Sequence, residues 1–246
     1  MACSTRSEGK SIQMIMRQKN MIIALISGVF LIFLGLLSFL KLAPQNEGFK
    51  VIDGTESGSM KEVNLAELGL AAGWSEYQPE SEEQLTLWKP ETVKVLFRYV
   101  QKDGTMLFLA DVKRSQGKKK ARKDGKWEFP GGRRDPGESP TESLIRELSE
   151  EDPSGVLATT LKNKLSSFYF KNLMLNNGEH HTLLLGDLIE SDVSRLKTYW
   201  NSKTSSNHEV YQFVLVPAEY LDSRHPEFKT YWTPKTKKII KSLKRV

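Results

Sequence analysis

The stretch from Trp127 to Glu151, WEFPGGRRDPGESPTESLIRELSEE, constrains this chain more than any other. It reads as a strand, a glycine turn, a loop and a short helix. Ser139 predicts an N-cap, Pro140 suits the first helical position, and Glu142 completes a Ser-x-x-Glu capping box. Pro153 stops the helix, because it biases Asp152 away from helical geometry. Leu144, Ile145 and Leu148 can then face a core, while Glu147, Glu150 and Glu151, spaced i, i+3, i+4, share one face. These acids crowd the last turns, where the helix dipole is itself negative, and each exposed carboxylate there costs roughly 0.3–1 kcal/mol. The cluster is either a solvated acidic face or a place for a hard cation, since carboxylate oxygens suit Mg²⁺ or Mn²⁺.

The wider spacing separates these two readings. Gly132 is followed after five residues by Glu138, and after seven more by Arg146-Glu147-Leu148, one residue, and Glu150-Glu151. This pattern closely resembles the Nudix box, and Trp127-Glu128-Phe129-Pro130-Gly131-Gly132 looks like its MutT-type version. The box's closing glycine and hydrophobic residue are replaced by Pro153 and Ser154; Gly155-Val156 supplies both after a two-residue insertion. The resemblance implies an α/β fold, an α/β/α sandwich with a mixed β-sheet, and hydrolysis of a nucleoside diphosphate linked to another group. It also implies Mg²⁺, with Mn²⁺ as the substitute. Carried onto this sequence, it makes Glu147, Glu150, Glu151 and the carbonyl of Gly131 metal ligands. Arg146 would orient Glu147, and Glu138 would sit beside the metal. The box does not fix the general base; Glu151 in part, Glu179 and Glu209 are the candidates. Diphosphoinositol polyphosphate, capped RNA and dinucleoside polyphosphate remain alternative substrates. A non-catalytic binding module is the rival from another class, and the complete acidic set argues against it.

The rest of the chain is arranged around this stretch. Residues 1–20 form a basic tail, with Arg6, Lys10, Arg17 and Lys19 against Glu8. Met21–Leu40 then runs without a charge. At about 1.5 Å per residue it covers roughly 30 Å, the hydrocarbon thickness of a bilayer, so a single transmembrane helix is expected ahead of the sandwich. A cleaved signal peptide has a shorter apolar core, about 7–15 residues, and no small-x-small site follows here. An organelle-targeting leader is the other alternative. Basic residues before the span outnumber Lys41 and Lys50 after it. The positive-inside tendency therefore favours a cytosolic N-terminus and an extracytoplasmic catalytic domain. Nucleotide supply favours the opposite orientation. The lone Cys3 excludes an intrachain disulfide framework and a cysteine-rich zinc site.

Residues 41–90 read as an acidic stalk or lead-in, with Trp74 and Trp88 docking on a domain that spans 91–246. In that domain Thr92–Val100, Thr105–Val112, Ser166–Met174, His181–Ile189 and Glu209–Val216 read as strands, and Asn176-Asn177-Gly178 as a turn. Ser191–Trp200 and Thr233–Leu243 read as helices, the latter with Ile239, Ile240 and Leu243 inward. His180 and His181 point to opposite faces of a strand and do not make a metal site. Tyr169, Phe170, Tyr211 and Trp232 are read as core, with a nucleobase clamp as the alternative for one of them. The basic run holding Lys118, Lys119, Lys120, Arg122 and Lys123 is either a solvated loop or a rim that attracts substrate phosphates. The implied partners are a diphosphate-containing small molecule, and a lipid bilayer through residues 21–40.

Overall fold

The β-branched and aromatic run Thr92–Val100 becomes the strand about which a mixed sheet is built. The computed structural model describes residues 49–52, 73–113, 125–202 and 210–244. In chain order the elements are β1 (Phe49–Val51), β2 (Ser75–Glu76), α1 (Ser81–Trp88), β3 (Thr92–Val100), β4 (Met106–Lys113), β5 (Trp127–Glu128), β6 (Gly131–Arg133), α2 (Pro140–Glu151), α3 (Val156–Lys164), β7 (Tyr169–Met174), β8 (His180–Asp187), α4 (Glu190–Ser202), β9 (Val210–Pro217), α5 (Pro226–Tyr231) and α6 (Pro234–Leu243). Among the described residues the sheet runs β1-β9-β4-β3-β8-β7-β2. β3 runs parallel to β8 and antiparallel to β4.

The sheet splits where the site lies. β3 and β4 pair only where Arg98–Val100 meets Met106–Phe108. Beyond that they separate, and the segment 127–133 enters between them. β5 pairs with β4, placing Glu128 opposite Asp111. The chain crosses at Phe129-Pro130, and β6 pairs with β3, placing Gly131 opposite Lys94. The Val95 N–H donates to Pro130 O at 2.9 Å and closes the top of the wedge.

Helices cover both faces, as the expected sandwich requires. On one face Val93, Val95, Phe97 and Leu109 pack with Leu144 and Leu148 of α2, Leu157 and Leu161 of α3, and Trp200 of α4. On the other, Leu96, Phe108 and Ala110 pack with Trp127, Phe129, Trp232, and Ile239 and Ile240 of α6. Each such side chain contributes about 1.5–3 kcal/mol by leaving water. Phe170 and Trp232 are core as expected, but Tyr169 is 41% exposed. It lies toward the sheet's outer edge, where β7 is covered only by the two residues of β2.

Part of the expected lead-in belongs to this sheet. β1 adds to β9, β2 adds to β7, and Tyr77 and Leu85 are buried. Glu82 on α1 accepts the Tyr77 hydroxyl at 2.6 Å and the Thr141 N–H at 3.2 Å, which fastens α1 to the first turn of α2. Trp88 stacks on His180 with ring centroids 4.4 Å apart. These elements belong to a compact unit that spans Glu47–Val246. Two further short helices, besides α1, were not read in the sequence. α3 begins after Gly155, and Val156 is buried where the box's hydrophobic residue belongs. Asp152 organises this exit: its carboxylate accepts the N–H groups of Ser154 at 3.2 Å and Leu157 at 3.0 Å, and Nε1 of Trp200 at 3.2 Å. α5 is the other, opened by Pro226.

Met21–Leu40, Glu209 and the run Lys118–Lys123 lie outside the described residues. Among the described residues no helix is long and apolar enough to cross a membrane.

Candidate active site

The helix that carries the acids starts as its sequence dictates. The Ser139 side chain accepts the Glu142 N–H at 3.2 Å, and the Glu142 carboxylate accepts the Ser139 N–H at 2.9 Å. Leu144 and Leu148 anchor α2 on the sheet, and the acids take the flank beside the wedge.

On the solvent side, Arg146 gathers the carboxylates. Its Nε donates to Glu138 Oε1 at 2.7 Å, and its Nη1 donates to Glu147 Oε1 at 2.9 Å and to Glu150 Oε1 at 3.3 Å. Its Nη2 donates to the Arg133 carbonyl at 3.0 Å, so the same guanidinium also fixes the end of β6. The Arg146 guanidinium holds the Glu138 carboxyl down at about 2, and the surrounding carboxylates, Glu138 first, raise Arg146 further. Arg146 therefore bonds Glu138, Glu147 and Glu150 at once. Glu147 lies directly against the turn: a Cβ on Gly132 would stand 2.0 Å from Glu147 Oε2. The Glu147 carboxylate fills the space that a side chain on Gly132 would take.

Toward the interior the arrangement changes. Glu151 is 5% exposed. Its Oε2 accepts the Gly131 N–H at 2.7 Å, and its Oε1 accepts Lys113 Nζ at 2.5 Å. Lys113 Nζ also stands 2.8 Å from Asp111 Oδ2. Neither Asp111 oxygen has a well-formed hydrogen bond, so this is a contact ion pair. Lys94 Nζ donates to the Gly131 carbonyl and lies 3.6 Å from Glu128 Oε2. All five side chains are buried. Burial pushes the Asp111 carboxyl up to about 7, with Lys113 opposing and Glu151 adding to the rise. Burial pulls Lys113 down, but the Asp111 and Glu151 carboxylates outweigh it and hold the ammonium well above its ordinary value. Gly131 makes the approach possible. Its φ is +108°, and a Cβ there would stand 2.5 Å from the Val93 carbonyl.

Three carboxylates and a carbonyl are hard oxygen donors, and a carboxylate offers about four lone-pair directions, so the donor types fit a divalent cation. The donors do not converge on one point. Among the described residues no three Asp, Glu, His or Cys side chains are gathered closely enough to hold an ion. Arg146 bridges Glu147 and Glu150, and Lys113 holds Glu151.

Glu179, a candidate base, is partnered elsewhere. Its Oε2 is 3.2 Å from His181 Nε2 and 3.8 Å from Lys235 Nζ. The contact with His181 holds its carboxyl below the usual range. His181 is buried and makes this pairing from β8. Lys94, Asp111, Lys113 and Glu128 were not singled out from the sequence. The available signal was charge inside strands: a lysine within Thr92–Val100 and an Asp-x-Lys at the end of a run rich in apolar residues.

Residues 90–185 match the NUDIX domain family. No curated protein sequence matches the chain. Among solved structures it is similar to a Nudix hydrolase from M. smegmatis, RenU, at 14% identity and a TM-score of 0.34, over 64% of this chain and 83% of that one. It is also similar to the Ap4A hydrolase of C. elegans in a binary complex, at 16% identity and 0.35, over 56% and 90%. The Bacillus subtilis pyrophosphohydrolase BsRppH gives 17% identity and 0.35, over 67% and 81%. At these values the likenesses do not bear on this chain's substrate. Residues 90–185 of this chain are a NUDIX domain, and the activity that goes with it is diphosphate hydrolysis.

Proposed function

We propose that the chain cleaves a diphosphate bond in a nucleoside diphosphate linked to another group, by attack of water at phosphorus. Glu147, Glu150, Glu151 and the Gly131 carbonyl would hold Mg²⁺ or Mn²⁺. Bound there, such an ion polarises the diphosphate, lowers the pKa of a bound water and offsets leaving-group charge. Arg146 keeps Glu147 and Glu150 side by side and fixes Glu138 behind them. Gly131 turns the chain so that its N–H meets the carboxylate of Glu151 at the tip of the wedge. The observation that carries this reading is the notch at Gly132, filled by the Glu147 carboxylate while Arg146 Nη1 bridges Glu147 and Glu150. A solvated acidic face has no need of either feature. The test is a panel of nucleoside diphosphate conjugates, dinucleoside polyphosphates, diphosphoinositol polyphosphates and capped RNA, with Mg²⁺ or Mn²⁺, in ¹⁸O-water to locate the cleaved bond. No turnover by the folded protein on any of them would overturn the proposal.

The position in the cell belongs to the same proposal. Met21–Leu40 would anchor the chain in a membrane, N-terminus in the cytosol and the catalytic domain on the far side. The support is the uncharged bilayer-length span and the basic excess before it. The run Lys118–Lys123 would raise the local concentration of an anionic substrate. Retention on membranes through an alkaline carbonate wash, and protection of a C-terminal tag from protease in sealed vesicles, are the expected results. A mature N-terminus beyond Leu40 would leave a cleaved leader instead.

A further inference from the structure

Two of the four proposed donors already carry a positive charge from the protein. Lys113 Nζ sits on Glu151 Oε1, and Lys94 Nζ sits on the Gly131 carbonyl. Neither lysine is at the surface. They reach the wedge from β4 and β3, the two strands that it separates, and both are less than a tenth exposed. Burying an ammonium is unfavourable unless anions surround it closely. Here the anions are Asp111, Glu128 and Glu151, three carboxylates against two ammoniums. Counted as ionised, the cluster carries one net negative charge. A divalent ion on Glu151 and the Gly131 carbonyl would put two more positive charges beside both ammoniums. At such separations in a buried site, like charges repel strongly. Arg146 is a different case, because its carboxylates face solvent and repulsion there is screened.

We propose that Lys94 and Lys113 are resident counter-ions of the donor set. They hold Glu151 and the Gly131 carbonyl in the ion-free protein and compete with a divalent cation for both. The chain is thereby folded without its metal and binds that metal more weakly than its oxygen donors alone would. This rests on the metal reading given above. If instead the lysines only position Glu151 for the ion, removing them weakens binding, so the two roles predict opposite signs.

The experiment measures free Mn²⁺ by electron paramagnetic resonance during titration of the full-length chain, kept in mild detergent after treatment with chelator. The parent, Lys113→Met, Lys94→Met and Glu150→Gln are compared. Mn²⁺ should bind about tenfold tighter to Lys113→Met and a few-fold tighter to Lys94→Met. Glu150→Gln should bind more weakly than the parent. In chelator, Lys113→Met should melt at a lower temperature than the parent and recover more on adding Mn²⁺. Should Lys113→Met fail to fold, amine acetylation of the parent read by mass spectrometry gives the same answer. Lys113 should be modified slowly in chelator and faster at saturating Mn²⁺. Equal or weaker binding by both lysine variants, with Glu150→Gln still weakened, would overturn the competition alone. Unchanged acetylation of Lys113 at saturating Mn²⁺ would also overturn it. Failure of the parent to bind Mn²⁺ would overturn both the competition and the metal reading.

Discussion

Two sides of one helix turn treat the same chemical group differently. Glu150 has 62% of its side chain exposed and is held by an arginine at 3.3 Å. Glu151, the next residue, has 5% exposed and is held by a lysine at 2.5 Å. On the solvent side one guanidinium serves three carboxylates at once, because its planar fork offers five donors and tolerates partial hydration. Each of those contacts is worth little, about 0.2–1 kcal/mol. On the interior side compact ammoniums reach the carboxylates from neighbouring strands. The energies there are larger in both directions, since an unpaired buried charge is costly. The helix thus keeps its adjustable acids in water and its structural acid inside, one residue apart.

The contrast breaks most sharply under Glu150→Gln. The change keeps the shape and removes one exposed carboxylate. Turnover should fall about a thousandfold, equivalent to ~4 kcal/mol of transition-state stabilisation. Thermal stability should shift by less than ~0.5 kcal/mol, the scale of an exposed i,i+4 pair. Steady-state kinetics beside a melting curve separates the two readouts. Retained turnover in the folded variant would mean that the solvent-side acids are only a hydrated face.

Glu151→Gln should reverse that balance toward the fold. It leaves Lys113 with Asp111 alone and weakens the tie to the Gly131 N–H. A loss of about 3 kcal/mol is expected from breaking a buried pair on one side. Denaturant unfolding without metal measures it, and a shift below 1 kcal/mol would place Glu151 in the same class as Glu150.

Gly132→Ala sharpens the comparison at the boundary of the two sides. The added methyl would meet Glu147 at 2.0 Å, and the contact is with the end of a long side chain that can rotate away. The backbone has no strain to release, so stability should change by less than ~1 kcal/mol. Activity should drop by about 10- to 100-fold, because a displaced catalytic group loses its alignment. Parent-level activity would show that the Glu147 position is not required.

The solvent-side half of this site was legible in the sequence, and the interior half was not. Arg146, Glu147 and Glu150 lie on one helix, where periodicity sets their neighbours, and Glu138 was picked out by the resemblance to the Nudix box. The capping box and Pro140 fixed the start of α2 to the residue. Lys94, Asp111 and Lys113 come from strands whose approach to α2 depends on the wedge, and no local pattern carries a register between distant strands. The same reason hid β1 and β2: strands of three and two residues have no period to detect, and only their partners make them strands. α3 escaped because Pro153-Ser154 reads as a chain break, whereas the buried carboxylate of Asp152 recaps the chain within a few residues.

A third acid lies between the two regimes and gives the smallest effect. Glu82 is partly buried, and the bonds that hold it come from the Thr141 N–H at 3.2 Å, the Thr141 hydroxyl and the Tyr77 hydroxyl at 2.6 Å. Burial pushes its carboxyl up, but the hydrogen bonds from Thr141 and Tyr77 more than offset that and leave it below its ordinary value of 4.5. A carboxyl held low in the folded state adds stability that is fully present above 4.5. That stability is lost as the pH falls through the lowered value. Glu82→Gln keeps an acceptor but not the charge, so it should lose about 1 kcal/mol at pH 7, a charge-assisted bond discounted for partial solvent exposure. Below 4.5 the parent and variant curves should approach each other, because protonation makes the parent resemble the variant. Urea unfolding at pH 7 and at several values below 4.5 tests this. A gap that stayed constant with pH would mean that Glu82 acts by shape and packing, and that neutral partners cannot stand in for the cations that hold the acids of α2.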